Sequence, residues 1–381
     1  MQKQSLALLL VVLVALNLRP AMAGLGPLLD LIEQSTGLNS AGAGMLTTLP
    51  VFLMGIGAFT GPYLRVWLGD KRGVAVGIIL IAVACAARWV WNDAFGMFVT
   101  AACAGLGIAI VQAMVPAVVK RWFGAGTGRA MGLYTTGIMG GAALAAATAA
   151  GFARAGGWPF SLAIWSVPAI AALVCWLTHP DAEQARKQEH TPKSFHRQRR
   201  AWLLLIFFGI GTGAYTLVLA WLPPFYMSLG QSRDMSGYLL AGMTITQVVS
   251  GLGVSTLIGR FPDRRAPLVA VLLCVLAGLA CLILAPIGLA FPAIILLGLG
   301  IGALFPLSLI VTLDHADNPI TAGDLAAFVQ GGGYIIASAM PFIAGLIRDR
   351  FDDLSQAWML MAAGIVALIA MAARLSPSSR R

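Results

Sequence analysis

Hydrophobic positions along the chain gather into twelve long runs separated by short polar stretches, and charges hardly ever interrupt a run. About 20 apolar residues are needed to cross the hydrocarbon of a bilayer as a helix. Each run therefore predicts one membrane-spanning helix. The runs cover 6–29, 41–63, 74–91, 95–118, 130–152 and 159–178, then 201–227, 237–258, 268–286, 291–312, 324–347 and 357–373. One polar stretch is long: 179–200 carries six basic and three acidic residues together with Pro180 and Pro192. It reads as a cytoplasmic linker between two six-helix bundles, 1–178 and 201–381, with His190 and His196 as solvated linker residues.

Composition agrees with that pattern. With 59% hydrophobic residues, 10% charged residues and a mean hydropathy of +0.85, the chain lies outside the range of soluble globular proteins. Positively charged loops are retained on the cytoplasmic side. Placing the amino terminus inside leaves only Arg88, Arg154, Arg233, Arg348 and Arg350 at the outer edge and Arg19 in the membrane body; the other nineteen of the 25 Lys and Arg are cytoplasmic. Topology thus explains the net charge of +10 and argues against nucleic acid as a partner. Both termini are expected in the cytoplasm, with the chain in the inner membrane of a bacterial cell. Residues 1–23 imitate a signal peptide, but the later loops satisfy the charge rule only if this helix stays. The five cysteines lie in apolar segments without CxxC spacing and read as small core residues.

The two halves repeat each other. Gly44 matches Gly237, Asp70 matches Asp263, Arg72 matches Arg265, and Gly105-Leu106-Gly107-Ile108-Ala109 matches Gly298-Leu299-Gly300-Ile301-Gly302, all 193 residues apart. Two parallel six-helix repeats resemble the major facilitator superfamily, whose substrate site lies at the repeat interface near the midplane. Gly298-x-Gly300-x-x-Ala303 also imitates a dinucleotide fingerprint, but no strand precedes it, so it is assigned to helix packing. Gly137, Gly141, Ala145 and Ala149 form a one-turn stripe of small residues in the fifth span. The stripe predicts close packing, with contact between opposite halves as a further reading. The loops Gly69-Asp70-Lys71-Arg72 and Asp263-Arg264-Arg265 resemble the superfamily's loop signature, from which Arg65 and Trp67 depart. The resemblance implies that these loops brace the inside of the outward-open state; plain topology charges are the other reading.

Arg19 is the chemical clue, flanked by Asn17 and Pro20. An unpaired cation in hydrocarbon costs about 2.5 to 17 kcal/mol. Asp30 is eleven residues away, roughly 16 Å along a helix, while Asp314, Asp317 and Asp324 lie at the far ends of their spans. The guanidinium thus lacks an evident counterion. It offers a planar fork of donors suited to a small anion. The alternative is that carbonyls freed at Pro20 cap it. Asn17, Gln112, Gln247 and Gln330, from four spans, are candidate neutral donors, or interhelical hydrogen bonds. Trp221, with Tyr215 and Tyr226 on the span carrying Pro223 and Pro224, reads as a cavity wall or as ordinary packing. Most other tryptophans, Trp89, Trp122, Trp158 and Trp202 among them, read as an interfacial belt.

Several strings resemble one branch, the cyanate porter family, which also contains nitroimidazole transporters. They are Leu16-Asn17-Leu18-Arg19-Pro20, Gly26-Pro27-Leu28-Leu29, Leu46-Thr47-Thr48-Leu49-Pro50, Gln112-Ala113-Met114-Val115-Pro116, Ala220-Trp221-Leu222-Pro223, Phe225-Tyr226, Asp314-His315, Ala327-Phe328 and Gln330-Gly331. The resemblance covers essentially the whole length. It implies a secondary transporter that imports a small anion such as cyanate, or one that exports a small nitroaromatic compound. Accumulating an anion against the membrane potential costs about 2.3 kcal/mol per 100 mV and so would need a co-transported cation, usually a proton; down-gradient uniport or exchange is the other reading. His315 beside Asp314 is the one histidine and acid pair near a span. It reads as a coupling pair or as a loop hydrogen bond. The chain offers no nucleotide loop, metal constellation or activated nucleophile, so neither an enzyme nor a cofactor is expected. The expected partners are a small-molecule substrate, lipid and protons, around a monomer.

Overall fold

The structure, a computed structural model, describes residues 2–179, 195–316 and 319–374, all of it helices and turns. The first span is broken into α1 (Gln2–Leu16), α2 (Pro20–Ala23), a 3-10 turn at Gly26–Leu28 and α3 (Leu29–Thr36). Pro20 has no N–H to give to the preceding turn, so α1 ends before it and α2 begins with proline at its first position. Gly37, at φ +73°, then closes α3 in a left-handed conformation that glycine adopts without strain.

The next spans are α4 (Ser40–Leu68), α5 (Asp70–Ala87) and α6 (Ala94–Phe123). The Asn39 and Asp93 side chains cap α4 and α6 by accepting from Gly42 N and Gly96 N. α7 (Thr127–Ala163) holds the fifth span and the start of the sixth, joined across a kink at Gly156 and Gly157, and α8 (Ser166–Thr178) completes the sixth. After the linker come α9 (Arg199–Ser228), α10 (Arg233–Leu257), α11 (Arg265–Leu284), α12 (Ala290–Asp314), α13 (Pro319–Phe351) and α14 (Ser355–Ala372). Among the described residues ten helices are long and apolar enough to cross a membrane. The two remaining predicted spans are α5, which opens on Asp70, Lys71 and Arg72, and α8, with 13 residues. All twelve expected spans thus have helices, arranged as two six-helix bundles.

The repeat is written in the packing. Gly105 of α6 rests on Pro50 of α4, and its counterpart Gly298 of α12 rests on Met243 and Thr246 of α10; Pro50 and Met243 are again 193 residues apart. Gly107 meets Gly77 and Ile81 of α5, while Gly300 meets Val271 and Val275 of α11. These glycines let helix backbones touch, as expected of the false dinucleotide fingerprint. The small-residue stripe faces inward within its own half: Gly137 packs on Val12 and Ala15, and Gly141 on Leu16. Contact with the other half falls one position on, where Ala146 meets Gly237 of α10. The tryptophan belt is mixed. Trp89 and Trp202 are exposed, but Trp158 is buried and Trp122 stacks on Trp176 and His179. Residues 180–194, most of the expected linker, and Asp317 lie outside the described residues.

Candidate substrate-binding site

Between the two halves lies a cavity of about 670 Å³. One end of the bundle, here the linker end, carries the α4–α5, α6–α7 and α10–α11 turns. At that end exposed Arg65, Gly128 and Gly323 line the cavity, so it opens there. Its deep end is formed by Arg19, Met54, Tyr134, Tyr215, Gln247 and Tyr334. The break in the first span explains why an arginine reaches this place. Arg19 caps α2 instead of continuing α1, and its side chain leaves the helix at mid-bundle.

Arg19 is 6% exposed. Its Nη1 meets only thioether sulfurs, Met54 Sδ at 3.4 Å and Met22 Sδ at 3.8 Å, which are weak acceptors, and its Nε has no partner. The Tyr215 ring lies 5.7 Å away, within reach of a cation–π contact. Among the described residues no carboxylate lies within ion-pair distance of Arg19. Asp30 instead pairs with Arg233 at 2.5 Å.

The surrounding polar groups share this lack of partners. The hydroxyls of Tyr134 and Tyr215 and both amide atoms of Gln247 are buried without a hydrogen bond. Each such group costs about 1–3 kcal/mol, and their convergence on one cavity marks a ligand site. Gln112 and Gln330 also line the cavity. Tyr134 and Tyr334 join the lining without standing out in the sequence. The available signal is a tyrosine within an apolar span, near the start of the fifth for Tyr134 and near the middle of the eleventh for Tyr334.

Two expected site residues lie elsewhere. Asn17 turns away from the cavity and donates to the carbonyls of Leu13 and Pro168, because the free turn at the end of α1 faces α8. Trp221 is fully buried; its indole N–H donates to Pro341 O at 2.8 Å and its ring carries the Arg348 guanidinium at 5.4 Å, which makes it packing between α9 and α13. Its neighbour Tyr226 likewise donates to Pro286 O, outside the cavity lining. Arg88 departs from expectation too. Read as an outer-edge charge, it is fully buried, donating to Ala21 O at 2.8 Å and Thr100 Oγ1 at 3.3 Å. One carbonyl of the broken first span, that of Ala21, is thus capped by Arg88, while Arg19 makes no such bond.

The candidate gating residues ring the linker end. Asp70 accepts from Arg65 at 3.0 Å and from Arg121 at 2.8 Å. In the second half Arg264 donates to Asp314 at 3.2 Å and to the carbonyls of Ile258 and Phe261. Arg121 and Asp314 are themselves 193 residues apart, and Arg264 follows Asp263, the counterpart of Asp70, so the second half carries a brace of reversed charge from the neighbouring loop position. Asp263 pairs with Arg265 in its own loop, and that guanidinium's hydrogen bonds hold its carboxyl below the usual range. His315 Nδ1 lies 2.7 Å from Val311 O. These pairs stay within one half each.

At the opposite end, ion pairs cross between the halves. Asp30 meets Arg233, Glu33 meets Arg348 at 3.1 Å and Arg154 meets Asp234 at 2.5 Å, while the Asp349 carboxylate accepts from Ser40 N and Ala41 N at the start of α4. Arg154 is exposed, but the Asp30–Arg233 and Glu33–Arg348 pairs are half-buried, and a pair near the surface contributes on the order of 1 kcal/mol. Asp30→Asn with Glu33→Gln should therefore shift the open population at this end several-fold. Spin labels at positions 34 and 231 in a cysteine-free background should report a new, longer distance; an unchanged distribution contradicts a latch.

A family model described as Major Facilitator Superfamily matches residues 11–338. The chain belongs to the major facilitator superfamily. This member of the superfamily is 37% identical over 373 residues to the cyanate transport protein CynX of Escherichia coli (strain K12), covering 97% of each chain. It is 29% identical over 370 residues to the 2-nitroimidazole transporter of the same organism, covering 94% of this chain and 92% of the other. Among solved structures, a bacterial homologue of the human lysosomal transporter Spinster in an inward-facing, occupied conformation aligns with a TM-score of 0.82 at 15% identity, over 100% of this chain and 99% of that one. The D-xylose–proton symporter aligns with a TM-score of 0.78 at 13% identity, over 96% of each. At such identities these likenesses show the fold alone. The protein is a multi-pass membrane transporter.

Proposed function

We propose that this transporter moves a small, cyanate-like anion across the bacterial inner membrane by alternating access, with the anion held by Arg19 at the deep end of the cavity. The observation that carries this reading is the buried guanidinium surrounded by unpartnered donors and no described carboxylate. An anion would neutralise the charge and satisfy Arg19 Nε, Tyr134 Oη, Tyr215 Oη and the Gln247 amide at once. Gln112 and Gln330, further along the lining, would meet the anion on its way. The similarity to the cyanate transport protein supports the same substrate class.

If the positive loops lie inside, the linker end and both termini are cytoplasmic and the arrangement is inward-open with its outer latch shut. In the outward-open state the braces at Asp70 and at Arg264 with Asp314 would instead bring the halves together at the linker end. Asp263 holds Arg265 in place there, and His315 beside Asp314 is the coupling candidate. The working unit is taken as a monomer, with the substrate, lipid and protons as its partners.

Flux into proteoliposomes tests the proposal. Labelled cyanate should enter saturably and faster with an inward proton gradient, whereas 2-nitroimidazole should neither be carried nor compete. Saturable nitroimidazole movement without cyanate flux would replace this reading with xenobiotic efflux.

A further inference from the structure

We infer that Tyr134, Tyr215 and Gln247 act with Arg19 as specificity-determining residues, restricting the cavity to singly charged, weakly hydrated anions of rod-like or planar shape and rejecting phosphate and sulfate. The inference rests on the reading that the cavity takes an anion and adds which anions it admits.

Charge comes first. Of the described residues lining the cavity only Arg19 and Arg65 are charged, and Arg65, at the open end, is bonded to Asp70. One cation is thus available at depth. It neutralises a single negative charge, and a doubly charged ligand would leave net charge in a low-dielectric site.

Hydration decides the rest. Met54 touches the guanidinium, and Phe207, Phe208, Ile301 and Leu304 are among the other side chains lining the cavity, none able to replace water on an oxyanion. The donors at the deep end are the Arg19 guanidinium, the phenol hydroxyls of Tyr134, Tyr215 and Tyr334 and the Gln247 amide NH2, and of these Arg19 Nε, the Tyr134 and Tyr215 hydroxyls and the Gln247 amide are without a partner. A tetrahedral oxyanion needs donors on every side and would surrender more hydrogen bonds than the site returns. A small pseudohalide accepts at its ends and presents a polarisable body to rings and thioethers. The donors also come from both halves, Arg19 and Tyr134 from the first, Tyr215 and Gln247 from the second. A ligand that engages all four therefore bridges the halves.

Inhibition of labelled cyanate uptake in proteoliposomes tests the inference. Thiocyanate and azide should inhibit at concentrations comparable to cyanate, while phosphate and sulfate in about tenfold excess should not. Tyr134→Phe and Gln247→Leu should each raise the apparent KM for cyanate about tenfold, the loss expected of one hydrogen bond to a charged ligand. The rise for thiocyanate should be smaller, because it gives up its water more readily. A merely structural role would shift both anions alike. Tyr134→Phe keeps the ring and tests the hydroxyl alone even if Gln247→Leu fails to fold. Phosphate or sulfate inhibiting as well as thiocyanate, with uptake still dependent on Arg19, overturns the selectivity and leaves anion transport standing. Absence of any Arg19-dependent anion uptake overturns both.

Discussion

Cyanate uptake should fall to the lipid background in Arg19→Ala and return only in part in Arg19→Lys. Removing one partner of a buried charge-assisted contact costs about 2–5 kcal/mol, which is roughly 30-fold to several thousand-fold in affinity. Lysine restores the charge but not the fork: its ammonium is a compact, strongly hydrated point without paired in-plane donors. Stability should move the other way. Without its ligand, Arg19 is a buried cation facing two sulfurs and a ring, so Arg19→Met should keep or raise the melting temperature in detergent while transport is lost. Unimpaired flux in the Ala variant would falsify the assignment, and a collapse in melting temperature would make Arg19 a structural residue.

Gly141→Ala should destabilise the protein and remove transport, whereas Gly140→Ala beside it should do neither. A methyl group at Gly141 would overlap the carbonyl of Leu16, backbone against backbone, so no side chain can turn aside to relieve it. At Gly140 nothing lies within 4 Å of the added carbon. Overpacking costs about 1–3 kcal/mol and more where the backbone must move. The wedge would push on the end of α1, three residues before Arg19, and so would disturb the site as well as the packing. Melting in detergent and cyanate flux, measured on both variants, check the contrast; equal behaviour would mean that α1 and α7 can part without consequence.

Much of this molecule was readable in its sequence because lipid leaves few options. Backbone groups in hydrocarbon must be paired within a helix, so apolar run length alone gave the twelve spans. The 193-residue repeat gave the two bundles, and Gly105 and Gly298 do carry equivalent contacts. Arg19 stood out because a charge in an apolar run is rare. The details of the site were harder to read. Asn17 and Arg19 are two residues apart, yet the break in the first span turns one toward α8 and the other toward the cavity. Periodicity describes an unbroken helix and cannot follow a chain around a proline. Arg88 looked like an outer-edge charge because its burial comes from Ala21 and Thr100, which fold over it from other spans. Tyr134 and Tyr334 resemble many aromatics of apolar spans in sequence, and only their place with Arg19 in the cavity lining distinguishes them.

The structure suggests a simple division of labour. The deep end of the cavity holds an unpaired cation, the pairs at the linker end tie each half to itself, and the pairs at the opposite end tie one half to the other. Neutralising Arg19 is then the event that would let the two halves close over the site, since a bare guanidinium resists complete enclosure.

Calorimetric titration of cyanate into the purified protein at neutral pH is the most direct measurement of that central role. Saturable binding by the wild-type protein and no detectable heat with folded Arg19→Met is the predicted result. Equal binding by the two proteins would contradict it, because the anion would then be held by something other than the guanidinium.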